Sequence, residues 1–169
     1  MAIKEINEDY KNYYEKKDKI GKGQYGKVYK VINKESKEKR AIKIIDIDED
    51  EKMFINNINN ELKNMKICSI ENNNSVKLYE CFHYKKKYAI VMELCDDNLQ
   101  NILNKRKVGF TSEEIYNIMS QLNNTFKIMN ENKIVHRDIK LENIVVKYND
   151  EKSNINYIVK LTDYGISKQ

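Results

Sequence analysis

The sequence predicts an α+β chain of two lobes, a small antiparallel-sheet lobe carrying one helix and then a helical lobe. Three observations predict this. Short runs rich in β-branched and aromatic residues, separated by turn clusters, fill most of the first 94 residues. One amphipathic helical stretch interrupts them. After Asp96-Asp97-Asn98 the apolar spacing becomes helical.

In chain order, residues 1–13 read as a polar N-terminal extension, loose at its end. A strand pattern with three glycines runs from Tyr14 to about Lys30, and Lys39 to Asp46 gives another strand through Ala41, Ile42, Ile44 and Ile45. Over residues 51–67, Phe54, Ile58, Leu62 and Met65 recur at helical spacing. Glu71-Asn72-Asn73-Asn74-Ser75 is a turn cluster. Val76 to Tyr84 and Tyr88 to Leu94 then form a hairpin joined at Lys85-Lys86-Lys87. The small lobe is thus placed at residues 14–94 and the large lobe at 95–169. In the latter, residues 99–105 read as a short helix, and Thr111-Ser112-Glu113-Glu114 starts a long one with acidic residues in its first turn. Ile115, Ile118, Met119, Leu122, Phe126 and Met129 are its apolar positions. A polar loop from His136 to Asn143 and two strands, Ile144 to Tyr148 and Tyr157 to Thr162, close the chain.

Composition narrows the function. The 169 residues are 40% hydrophobic and 34% charged, with a net charge of +5. Lysines alternate with acids, as in Lys34-Glu35-Ser36-Lys37-Glu38-Lys39-Arg40, which reads as solvated surface and not as a nucleic-acid stripe. Cys68, Cys81 and Cys95 lack metal-ligand spacing, and only two histidines accompany them, so neither zinc nor a disulfide framework is expected. Reduced thiols and the lack of a signal peptide or a membrane-length apolar run give a cytoplasmic expectation, with the nucleus as the alternative. Proline is absent, for which we have no physical account.

Five features carry chemistry. Gly21-Lys22-Gly23-Gln24-Tyr25-Gly26 lets the backbone approach a phosphate chain, but leads into the strand Val28 to Ile32. A dinucleotide-binding loop would lead into a helix instead. Lys43 sits among apolar neighbours, which is costly without a partner. Glu61, beside Leu62 on the apolar side of the first helix, is the candidate partner. Singly, each has a plain structural explanation: a hairpin, a surface lysine, an exposed helical glutamate. The loop His136-Arg137-Asp138-Ile139-Lys140-Leu141-Glu142-Asn143 and the segment Leu161-Thr162-Asp163-Tyr164-Gly165 are more specific. Asp138 can take a proton from an attacking hydroxyl, and Asn143 and Asp163 offer hard oxygen ligands for Mg²⁺.

In this order and context the chain resembles the eukaryotic protein kinase family from Tyr14 onward. The resemblance implies a protein-kinase-like two-lobe fold that binds ATP and Mg²⁺ and phosphorylates a protein substrate on serine or threonine. Gly21, Gly23 and Gly26 would cover the phosphates, and Lys43, oriented by Glu61, would contact them. Asp138 would be the catalytic base and Lys140, in the serine/threonine-type pattern, would neutralise the transferred group. Asn143 and Asp163 would hold Mg²⁺. Val28, Ala41 and Val145 would sandwich the adenine, Met92 would stand behind it, and backbone groups of Glu93 and Cys95 would bond its edge. Met65, Leu78, His136 and Tyr164 would form an internal apolar spine.

Tyr164 replaces the commoner phenylalanine, and its hydroxyl needs a partner. Only four residues follow Gly165, so the resemblance gives an incomplete large lobe. It lacks the segment whose phosphate Arg137 would receive and the peptide-docking helices. Apolar residues of the long helix should then be exposed. The alternatives are a non-enzymatic kinase-like nucleotide-binding or regulatory protein, and an unrelated ATP-binding or metabolic kinase of small molecules, some of which share a two-lobe fold. Neither nucleic acid nor membrane is an expected partner, and the oligomeric state is open.

Overall fold

The computed structural model describes residues 4–22, 26–47, 52–148 and 157–164. Gly23 and Gly165 lie outside the described residues. The chain divides into two compact units. The first comprises Met1–Leu62 and Lys77–Leu94, and the second Lys63–Val76 and Cys95–Gln169. The division near Leu94 falls where the residue pattern changes, but residues 63–76 join the second unit, a long-range association that local spacing does not report.

The first unit is built on a six-stranded sheet. Its strands are β1 (Lys4–Ile6), β2 (Tyr14–Lys22), β3 (Lys27–Asn33), β4 (Lys39–Asp46), β5 (Leu78–Tyr84) and β6 (Lys87–Glu93). Their spatial order is β1-β5-β6-β4-β3-β2. All pairings are antiparallel except β1 with β5. Helix α1 (Lys52–Ser69) extends two residues beyond the predicted end. Ile58 and Leu62 on it are essentially fully buried, a contribution of about 1.5–3 kcal/mol each.

The polar N-terminal segment expected at residues 1–13 is tied into the first unit from Lys4 onward, and residues 1–3 lie outside the described residues. Lys4, Glu5 and Ile6 pair in register with Glu80, Cys81 and Phe82. A 3₁₀ turn follows at Tyr10–Asn12, where the Asp9 carboxylate accepts the Lys11 N–H at 3.0 Å. The turn drives Tyr10 into a core cluster with Tyr14, Val31, Ile42, Phe82 and Val91. Tyr14 hydroxyl donates to Glu80 at 2.7 Å. One aromatic ring anchors a segment whose other residues are mostly polar, which is why composition alone does not show the anchoring.

The second unit holds β7 (Asp97–Asn98), β8 (Ile144–Tyr148) and β9 (Tyr157–Leu161) in one small sheet, with helices α2 (Leu99–Asn104) and α3 (Ser112–Glu131). A capping box starts α3. Thr111 Oγ1 accepts the Glu114 N–H at 3.2 Å, and Glu114 accepts the Thr111 N–H at 2.7 Å. Both oxygens of Glu114 also receive the Arg106 guanidinium, at 2.7 and 3.0 Å. Ile118, Leu122, Thr125 and Met129 form the buried face of α3, while Ile115 and Met119 are each 51% exposed.

The turn at 72–74 is more than a connection. Asn72 donates to the Cys68 carbonyl and to Thr125 Oγ1, both at 2.9 Å. Thr125 in turn donates to the Asn74 carbonyl at 3.1 Å, and Asn74 donates to the Val159 carbonyl at 2.9 Å. Lys160, buried on β9, donates to the Asn73 carbonyl at 2.6 Å. This polar hub ties the end of α1, α3 and β9 together inside the second unit.

Candidate active site

Side chains alternate faces along a strand, so pairing register decides which residues meet. Gly21 opposes Val28, Val28 opposes Lys43, and Lys43 opposes Ile90. Two residues along β4, Ala41 opposes Met92. Val28, Ala41, Lys43 and Met92 therefore share one face of the first unit's sheet. On this unit Lys43 Nζ meets Glu61 Oε1 at 3.0 Å, and both side chains are about 95% buried. Burial keeps the pair from competing water, so each partner holds the other in a fixed direction.

The two described loop glycines differ. A Cβ on Gly26 would lie 2.4 Å from the Ile44 carbonyl oxygen, so the close approach of β3 to β4 demands glycine there. A Cβ on Gly21 would meet only Val28, at an ordinary 3.6 Å. Glu93 ends β6 with its N–H donated to the Lys77 carbonyl at 2.9 Å, so any adenine contact of Glu93 falls to its carbonyl.

The second unit assembles the acidic part. Asp138 Oδ2 accepts from Lys140 Nζ at 2.8 Å and from Asn143 Nδ2 at 2.9 Å. The same Asn143 amide donates to the Asp138 carbonyl at 2.8 Å. Both amide hydrogens are thus committed, and the oxygen is the atom Asn143 can offer a cation. Lys140 beside Asp138 holds its carboxyl below the usual carboxylate range, against a smaller opposing effect of desolvation.

Backbone ties link this loop to the segment before Asp163. The Asn143 carbonyl accepts the Thr162 N–H at 3.0 Å. His136 Nε2 contacts the Thr162 carbonyl at 2.9 Å, and its Nδ1 accepts the Asp138 N–H at 3.4 Å. These partners assign the neutral tautomer with the proton on Nε2. Burial pushes the His136 pKa down, which keeps that form. Arg137 and Asp163 have φ of 67° and 57°, a conformation costly for residues other than glycine and held here by the surrounding bonds.

Tyr164 is completely buried, and its hydroxyl finds its partner in Ser75 Oγ at 2.6 Å. Its ring lies 5.2 Å from that of His136. Burial raises the phenol pKa far above its ordinary value. Nearby Cys68 is also buried, which pushes its thiol up to about 11. Of the expected spine, Met65, His136 and Tyr164 belong to the second unit and Leu78 to the first. Val145 lies half-buried on β8 opposite Asn98, and Cys95 is half-buried at the start of the second unit's later segment. Ser75 and the 72–74 hub were not read from sequence as site residues. Their partners lie 51 to 89 positions away, and only the tyrosine in Asp163-Tyr164-Gly165 signalled that a polar partner was needed.

The match to known proteins follows this geometry. The chain fits the family model described as protein kinase domain over residues 14–169. It is 35% identical over 167 residues to calcium-dependent protein kinase 5 of Plasmodium berghei, covering 96% of this chain and 28% of that protein. Serine/threonine-protein kinase 33 of Bos taurus is 32% identical over 150 residues, with 88% of this chain and 30% of the relative covered. Cyclin-dependent kinase-like 1 of Caenorhabditis elegans is 34% identical, covering 92% of this chain and 41% of the relative. The chain therefore spans less than half the length of these curated relatives.

Proposed function

The chain belongs to the eukaryotic protein kinase family, and from that premise we propose that it binds Mg²⁺-ATP and transfers the γ-phosphoryl group to a serine or threonine hydroxyl of a protein substrate. The observation that carries this reading is the Asp138 cluster, where one carboxylate oxygen is held by both Lys140 and Asn143. Among the described residues both bonds fall on Oδ2, and we assign Oδ1 to take the substrate hydroxyl proton. The Lys140 bond, which holds the carboxyl below its usual range, leaves Asp138 ionised at neutral pH while reducing its basicity, so its role as acceptor rests on position.

The residues present suit the cofactor. Asp163 and the Asn143 amide oxygen are hard donors, and Mg²⁺ is commonly held by one or two such groups together with phosphate oxygens and water. When bound, the metal neutralises charge developing on the phosphates. In the first unit, Lys43 contacts the phosphates from a direction fixed by Glu61. Gly21, Gly23 and Gly26 cover them, Val28 and Ala41 pack on the adenine with Met92 behind it, and the Glu93 carbonyl accepts from its edge. In the second unit, Lys140 offsets charge on the transferred group, Val145 offers an apolar surface to the adenine, and the backbone of Cys95 bonds its edge. Such chemistry depends on positioning and electrostatics more than on covalent participation. Among the described residues no helix is long and apolar enough to cross a membrane.

Calorimetry with Mg²⁺-ATP and a phosphotransfer assay on a serine/threonine peptide library test the reading. Wild type should bind nucleotide, and Lys43→Met should weaken binding. Asp138→Asn should keep binding and lose about 10²–10⁴-fold in transfer rate. Undiminished transfer by Asp138→Asn would remove Asp138 as the base. Nucleotide binding without transfer by wild type would favour a regulatory protein.

A further inference from the structure

Asp163 is held from both sides, by backbone bonds before it and by a pair of hydroxyls after it. Before it, Ser75 pairs with Leu161 as an isolated parallel bridge. The Leu161 N–H donates to the Asn74 carbonyl at 2.9 Å, and the Leu161 carbonyl accepts the Val76 N–H at 3.0 Å. Thr162 commits its N–H to the Asn143 carbonyl and its carbonyl to His136. After it, the Tyr164 hydroxyl meets Ser75 Oγ at 2.6 Å, with both residues completely buried. Asp163 lies between these anchors, half-buried, in its left-handed conformation. All of these residues belong to the second unit.

A phenyl ring would keep this place by burial alone. A phenol adds a hydroxyl, and a buried hydroxyl with no partner costs more than its hydrogen bond contributes when made. Ser75 meets that need. The neighbouring ring cannot, because His136 Nε2 is bonded to Thr162 and its Nδ1 accepts the Asp138 N–H. Cys68 also neighbours the hydroxyl, but a thiol is a weak hydrogen-bonding partner. Without Ser75 Oγ, the phenol gains by turning its hydroxyl towards water. Asp163 precedes it directly and is held in a costly φ of 57°, so it relaxes as the ring moves.

We propose that Ser75 is a positioning residue for metal binding: its hydroxyl keeps the Tyr164 ring buried and so holds Asp163 where it can ligate Mg²⁺. The role rests on the assignment of Asp163 to Mg²⁺ proposed above, and Ser75 acts only through Tyr164.

The test is calorimetry of ATP binding to the whole chain with EDTA and with Mg²⁺, the readout being the ratio of the first Kd to the second. Wild type should bind more tightly with Mg²⁺. Ser75→Ala should lower the ratio at least about fivefold, or to one, the scale of a single unmet buried group. With Tyr164→Phe in place no phenol hydroxyl needs a partner, and adding Ser75→Ala should change the ratio less than about twofold. A role confined to packing would lower stability and leave the ratio unmoved, because a partly unfolded sample has fewer binding sites but not weaker ones. Ser75→Cys, close in size with a weaker hydrogen-bonding group, should lower the ratio at least about twofold, and reads the same contact if the alanine variant fails to fold. A smaller fall in Ser75→Ala, or an equal fall with and without Tyr164→Phe, would overturn the proposal. A wild type that gains nothing from Mg²⁺ would overturn the metal assignment itself, and this role with it.

Discussion

The two units hold their charged site residues by opposite means. In the first unit, Lys43 and Glu61 are sealed from solvent, and their ion pair is part of the core. In the second, the Asp138 and Lys140 side chains are each about half exposed, and loop hydrogen bonds and two left-handed backbone positions hold their arrangement. A sealed pair cannot lose one partner without stranding a buried charge, whereas an exposed pair can, because water replaces what is removed. The first unit should therefore register damage as lost stability and the second as lost chemistry.

The largest stability effect should come from Glu61→Ala, which strands the Lys43 ammonium and should cost about 3–5 kcal/mol by urea denaturation. Lys43→Met/Glu61→Leu, which removes both charges, should recover much of that loss. Lys140→Ala should leave the denaturation midpoint unchanged. A large shift there, or none for Glu61→Ala, breaks the contrast. An intermediate effect tests the second unit's own sealed group: Tyr164→Phe leaves the buried Ser75 hydroxyl without its partner and should cost about 1–3 kcal/mol. Adding Ser75→Ala should cost less than the sum of the two single changes, because they break one bond.

The smallest effect lies at the exposed start of α3. Arg106 above all, and then the Thr111 N–H, lower the Glu114 pKa from 4.5 to about 2. A depressed carboxylate stabilises the folded state above its unfolded pKa. That contribution fades as pH falls from about 4.5 towards about 2. Glu114→Gln should flatten the dependence of thermal stability on pH in that window, without altering its slope near neutrality.

What sequence disclosed tracks how local the determining physics is. Helix α1 was readable from Ile58, Leu62 and Met65, and that periodicity placed Glu61 on the side where it is buried. The start of α3 was readable from Thr111 and Glu114, three residues apart. Strand β4 carried its own pattern through Ala41 and Ile42. By contrast, the anchoring of the N-terminus depends on Tyr10 reaching a cluster with Phe82 and Val91, and nothing adjacent to Tyr10 announces it. The polar turn at 72–74 reads as a surface loop by composition, yet Asn72 is buried because Thr125, on a distant helix, accepts its amide. The Gly26 requirement was legible as a glycine, but its reason, the Ile44 carbonyl, was not.

The imidazole of His136 carries a consequence of another kind. A neutral ring buried to 2% exposure, with its N–H bonded to the Thr162 carbonyl, exchanges that proton with solvent only when the loop opens. Its resonance in a proton spectrum would therefore be a clock built into the molecule. The exchange lifetime of a single nucleus reports how often the segment carrying Asp163 comes away from the loop carrying Asp138, with no label or substrate needed.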